Sequence, residues 1–111
     1  MKNWKIVKTW KADIYIAADI CLVKQICQKI CFKNSLCVTI ENCDFVYTGG
    51  KESGCKIGLV NYPRFPADHK TITQKAKKIA LQILEETYQW SVLIVTPQKT
   101  FWFSKKPNHR R

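Results

Sequence analysis

Read as apolar and polar positions, the chain switches between two periods. From Lys5 to Ala17, "KIVKTWKADIYIA", apolar residues recur at period two, with Ile6, Trp10, Ile14 and Ile16 on one parity. That alternation predicts a first strand, bent near Lys11. Residues 20–34, "ICLVKQICQKICFKN", change to steps of three and four: Ile20, Val23, Cys27, Ile30 and Cys31 share a face opposite Lys24, Gln25, Gln28 and Lys29. With Asp19 as N-cap and Asn34 and Ser35 as the stop, this predicts an amphipathic helix.

Residues 36–48, "LCVTIENCDFVYT", return to period two but change parity, from Leu36, Val38 and Ile40 to Cys43, Phe45 and Tyr47. A parity change within one strand predicts a bulge or bend near Asn42. "GGKESG" then reads as a glycine-rich turn and "CKIGLVNY" as the returning strand, a hairpin over 36–62. After "PRFPAD", the run "TITQKAKKIALQILEETYQ" places Ile72, Ala76, Ile79, Ala80, Ile83 and Thr87 on one helical face, with Asp68 as a cap or first-turn acid. "WSVLIV" reads as a buried strand, Pro97 and Gln98 as a tight turn, and "KTFWFS" as a last strand.

The order β-α-β-β-α-β with an extra C-terminal hairpin arm predicts an α+β fold of the ferredoxin-like, split-βαβ kind. Its antiparallel sheet would carry both helices on one face. Residues 1–104 are expected to form one domain and 105–111 a disordered basic tail. A length of 111 residues at 46% hydrophobic suffices for a core without metal or disulfide staples. No apolar run approaches the ~20 residues of a membrane span, and the lysine-studded N-terminus lacks a signal-peptide pattern. A cytoplasmic protein is expected.

The six cysteines lie among core-type neighbours and are expected to be reduced thiols. No Cys-x-x-Cys pair occurs, and His69 and His109 are far apart, so no metal is expected. Cys27 and Cys31, at i,i+4 spacing, fit a core stripe as well as a ligand pair.

Nineteen basic residues against eight acidic ones give a net charge of +11. Such a field favours polyanionic partners, although excess lysine also serves solubility. Lys2, Lys5, Lys8 and Lys11 stud the first segment, and Lys105, Lys106, Arg110 and Arg111 close the chain.

Candidate chemistry is sparse. His69 follows Asp68, but neighbours at a helix start rarely point the same way, and Glu85 and Glu86 have no evident carboxylate partner. Glu41 and Asp44 fit a solvated strand edge, and "GGKESG" matches neither a dinucleotide nor a P-loop fingerprint. No enzyme and no cofactor are therefore expected.

Binding by cations and rings is better supported. In "NYPRFP", Arg64 is the only arginine outside the tail and lies between a strand and a helix N-terminus, where amides and dipole favour an anion. Arg64 and Lys70 could grip a phosphate while Tyr62, Phe65 or Trp102 stacks on a base; the plainer reading of the loop is a rigid connector. Trp102 must face opposite to Phe101 and Phe103, so one large ring stands outside the core or against a partner.

The runs "IYIAADI", "LCVTIENCDFVYTGG", "GLVNYPRFP" and "LIVTPQKTFWFS" resemble a group of small uncharacterised bacteriophage-encoded proteins. The resemblance implies an accessory protein that binds a host enzyme, a nucleic acid or a nucleotide signal in the host cytoplasm, and it carries over no functional residue. The expected function is a non-catalytic binding module for a phosphate-bearing ligand, either nucleic acid or a small nucleotide. The alternative is a protein-interaction or inhibitor module for an acidic host surface. The open sheet face or an edge strand offers a route to a homodimer.

Overall fold

The computed structural model describes residues 3–105. In chain order it has β1 (Lys11–Ile16), α1 (Ile20–Lys33), β2 (Val38–Tyr47), β3 (Gly50–Val60), α2 (His69–Glu86), β4 (Ser91–Val95) and β5 (Thr100–Ser104). The strands form one antiparallel sheet in the order β2-β3-β1-β4-β5. The fold is α+β, with a five-stranded sheet and two helices, and β5 is the expected arm paired to β4.

Strand parity decides where the core lies. Ala12, Ile14 and Ile16 of β1 are buried, as are Cys55, Ile57 and Leu59 of β3 and Val92 and Ile94 of β4. They form one cluster with Val23, Ile26, Cys27 and Ile30 of α1 and with Ile72, Ala76, Ile79, Ala80, Ile83 and Leu84 of α2. Each large aliphatic side chain buried there contributes about 1.5–3 kcal/mol. Burial also pushes the thiols of Cys27 and Cys55 up to about 12 and about 11, so they serve as small apolar groups.

Both helices start on aspartate. Asp19 Oδ2 accepts the Leu22 amide at 3.1 Å, and Asp68 Oδ1 accepts the Thr71 amide at 2.8 Å. The hydrogen bonds from Thr71 hold the Asp68 carboxyl below its ordinary range. Asp68→Ala is expected to lower the melting temperature by a few degrees at neutral pH. A depressed folded pKa stabilises above the unfolded value and is lost as pH falls through the folded one. Thermal unfolding curves of parent and variant should therefore converge in acid.

The structure corrects three expectations about the elements. The first strand is only Lys11–Ile16; residues 3–10 belong to no strand, and Trp4 and Ile6 are each 89% exposed. β2 has no bulge, because Val38 through Tyr47 pair one for one with Leu59 through Gly50. Its parity change has another cause. β1 ends at Ile16 opposite Cys55, and beyond that point β2 and β3 continue as a two-stranded arm whose apolar side is the opposite face of the sheet.

"GGKESG" is mostly strand, since Gly50 through Gly54 lie in the ladder. The turn needs only Thr48 and Gly49, and Gly49 takes φ 91°, a conformation glycine adopts without strain. The predicted tail lies, from residue 106 onward, outside the described residues. Among the described residues, no helix is long and apolar enough to cross a membrane.

Candidate functional site

The sheet face away from the helices carries the other parity of each strand. One row across it reads Glu41, Lys56, Tyr15, Leu93 and Trp102, each directly opposite the next. Where β1 ends, the β2–β3 arm continues and brings Phe45 and Tyr47 alongside that row. A cleft of about 450 Å³ opens between the arm and the β4–β5 edge. Five rings line it, those of Tyr15, Phe45, Tyr47, Trp90 and Trp102, together with the carboxylate of Glu52.

Each wall follows from a local rule. Gly54 lets the arm press on the end of β1: a Cβ there would lie 2.6 Å from the Phe45 ring and 2.7 Å from Ala17 Cα, and would meet the Ile16 carbonyl. At the end of α2, Thr87 Oγ1 donates to the Ile83 carbonyl at 2.6 Å, and the Gln89 amide donates to the Leu84 carbonyl at 3.1 Å. Tyr88 between them takes the left-handed φ of 56° that closes such a helix end and turns the chain toward the cleft. Trp90 is then tied to the end of β5, its carbonyl accepting the Lys105 amide at 2.8 Å.

The electrostatics of the cleft run against those of the whole chain. Despite the net charge of +11, no lysine, arginine or histidine among the described residues lines it, and Glu52 is the one carboxylate among those that do. Tyr47 Oη donates to Glu52 Oε2 at 3.3 Å, which orients the carboxylate. Partial desolvation and the adjacent Glu52 charge push the Tyr47 phenol above its ordinary pKa. Aromatic faces with one oriented carboxylate suit a ligand that carries positive charge on an otherwise flat, apolar body.

The predicted site residues separate into two places. Trp102, 67% exposed, lines the cleft. Tyr62, Arg64 and Phe65 meet at the other end of the sheet, beside the start of β1. The Tyr62 and Phe65 rings stack at 6.0 Å, and the Arg64 guanidinium carbon lies 5.8 Å from the Phe65 centroid.

That loop is tied by Asn61, whose amide nitrogen donates to the Lys8 carbonyl at 2.7 Å and whose oxygen accepts the Ala67 amide at 2.8 Å. The crevice beside Tyr62 and Phe65 is about 10 Å³, room for about one water. Lys70 is exposed on the first turn of α2. His69, next to it, tilts against Trp10 at 5.4 Å.

No family model and no curated protein matches the sequence. Two solved structures do match the fold. One is a phage SAM lyase in complex with S-methyl-5'-thioadenosine, with a TM-score of 0.73 and 13% identity over 94% of this chain and 95% of that one. The other is a phage SAM lyase in its apo state, with a TM-score of 0.67 and 14% identity over 90% and 92% of the two chains. The chain shares the fold of phage SAM lyase.

This corrects the expectation of a non-catalytic binding module, in both its ligand-binding and its protein-interaction versions. The expectation rested on the lack of a nucleophile–base pair, whereas an enzyme occupies this fold over nearly the full length. A lyase whose substrate carries its own leaving group needs no such pair. Tyr15, Phe45, Tyr47, Glu52 and Trp90 were not among the predicted site residues. The available signal was the β2 parity change, which puts two rings on the face without helices, and the turn reading of "GGKESG" hid Glu52 in a strand.

Proposed function

We propose that this chain is a phage-encoded lyase that cleaves SAM, with the nucleoside held in the aromatic cleft. The observation that carries the reading is the cleft itself: five rings and one carboxylate, with no basic residue among the described residues that line it, in a chain of net charge +11. SAM is a sulfonium cation on an adenosine body. Rings can stack on the adenine and face the sulfonium, and Glu52 supplies the opposite charge. The β-α-β-β-α-β core within this sheet order is, in the same reading, the split ferredoxin-like arrangement widened by β5.

The chemistry asks little of side chains. Breaking the bond between sulfur and the four-carbon amino-acid chain sends its electron pair to sulfur, which leaves as neutral S-methyl-5'-thioadenosine. The four-carbon fragment is completed by closure of its own carboxylate on that carbon, which forms the new carbon–oxygen bond as the carbon–sulfur bond breaks. Ring closure joins an anion and a cation into less charged products, and removing water from both ends favours it. The cleft contributes position and a weakly hydrating wall. Of the residues expected to contact a ligand, Trp102 belongs to this site.

Titration calorimetry with S-methyl-5'-thioadenosine should show one site per chain, and Trp102→Ala should weaken binding by about tenfold or more. Absence of heat at millimolar ligand, with no concentration-dependent rise in melting temperature, would rule the cleft out as the nucleoside site.

A further inference from the structure

Beyond the cleft, the row of residues on the same face runs from Tyr15 onto a charged patch. Lys56 stands directly across from Tyr15 and Glu41 directly across from Lys56, with Lys56 Nζ 3.7 Å from Glu41 Oε1. Asp13 and Thr39 flank Gly58 in the adjacent row. A Cβ on Gly58 would lie 2.7 Å from Thr39 Oγ1 and 3.2 Å from Asp13 Oδ1, so the bare glycine is what admits the hydroxyl and the carboxylate to the space above it. Glu41, then Asp13, then Tyr15 raise the pKa of the Lys56 ammonium, so it stays fully charged at neutral pH.

We propose that Lys56 and Glu41 in one row and Asp13 beside the bare backbone of Gly58 in the next hold the zwitterionic α-amino-acid end of a substrate whose nucleoside end fills the aromatic cleft. The inference rests on the reading of the cleft as an adenosyl sulfonium site. A zwitterion presents one carboxylate and one ammonium a bond or two apart, and the patch offers one ammonium between two carboxylates. Trp102 and Lys56 are three strands apart on one row, about 14 Å at the usual strand spacing, the scale of a nucleoside joined to a four-carbon chain. Nucleosides that lack the amino-acid end would use only the cleft.

The test compares two probes by calorimetry: S-methyl-5'-thioadenosine, which lacks the amino-acid end, and S-adenosylhomocysteine, which has it on an uncharged sulfur. Lys56→Gln and Asp13→Asn should each weaken S-adenosylhomocysteine by about tenfold or more and leave S-methyl-5'-thioadenosine within about twofold. The unchanged second ligand also reports an intact fold. If both variants bind S-adenosylhomocysteine like the parent, or lose both ligands equally, the patch is not the amino-acid site. If the parent binds neither ligand, the reading of the cleft falls together with this one.

Discussion

Gly54→Ala is expected to remove ligand binding and to lower the melting temperature by about 5–15 °C, the effect of an overpacking cost of about 1–3 kcal/mol. Two of the three atoms the new methyl would meet belong to the backbone of Ile16 and Ala17, and the third to the Phe45 ring. Backbone at the end of a paired strand cannot swing aside as a side chain can. The Ile16–Cys55 pairing has to open, and the arm that carries Phe45, Tyr47 and Glu52 moves with it. Gly50→Ala is the control. Its methyl would meet only the Tyr47 ring, at 3.2 Å, and that ring can turn, so the melting temperature should hardly change. Scanning calorimetry of the two variants distinguishes a positional need for glycine from a general one.

Glu52→Gln should separate the substrate from its neutral product. The sulfonium is charged in the ground state and loses that charge as the carbon–sulfur bond breaks, so a carboxylate beside it holds the substrate more tightly than the transition state. The expected outcome is a KM for SAM raised by about ten- to hundredfold, the scale of one lost charge-assisted contact. The affinity for S-methyl-5'-thioadenosine should stay within about twofold and kcat should not fall. Tyr47→Phe, which removes the hydroxyl that orients Glu52, should act in the same direction more weakly. A fall in kcat with KM unchanged would instead assign Glu52 to proton transfer.

Much of the fold was legible because its helices are amphipathic and its central strands alternate. The α1 and α2 stripes, the caps at Asp19 and Asp68, and the hairpin ending in β5 all follow from spacing. What periodicity could not show is which face of a strand is covered. In β2 the apolar residues move from the helix side to the open side level with the end of β1, on the far side of β3, and a local pattern read alone looks like a bulge.

The site was less legible for the same reason. Tyr15 and Trp102 are far apart in sequence and are brought into one row only by the pairing of β1 and β5 with β4. Net charge sums all charges and does not say where they stand; among the described residues, no lysine lines the cleft. Arg64, conspicuous as an isolated arginine, stands over the ring of its own neighbour Phe65 at the far end of the sheet.

The central claim is that the aromatic cleft turns over an adenosyl sulfonium. The most direct measurement is to incubate the purified chain with SAM and resolve the mixture by liquid chromatography with mass detection. The account predicts S-methyl-5'-thioadenosine accumulating in proportion to enzyme and time, with one four-carbon amino-acid fragment released for each nucleoside, and loss of this turnover in Trp102→Ala. SAM consumed no faster than in buffer, by a protein that is folded and at full concentration, would contradict it.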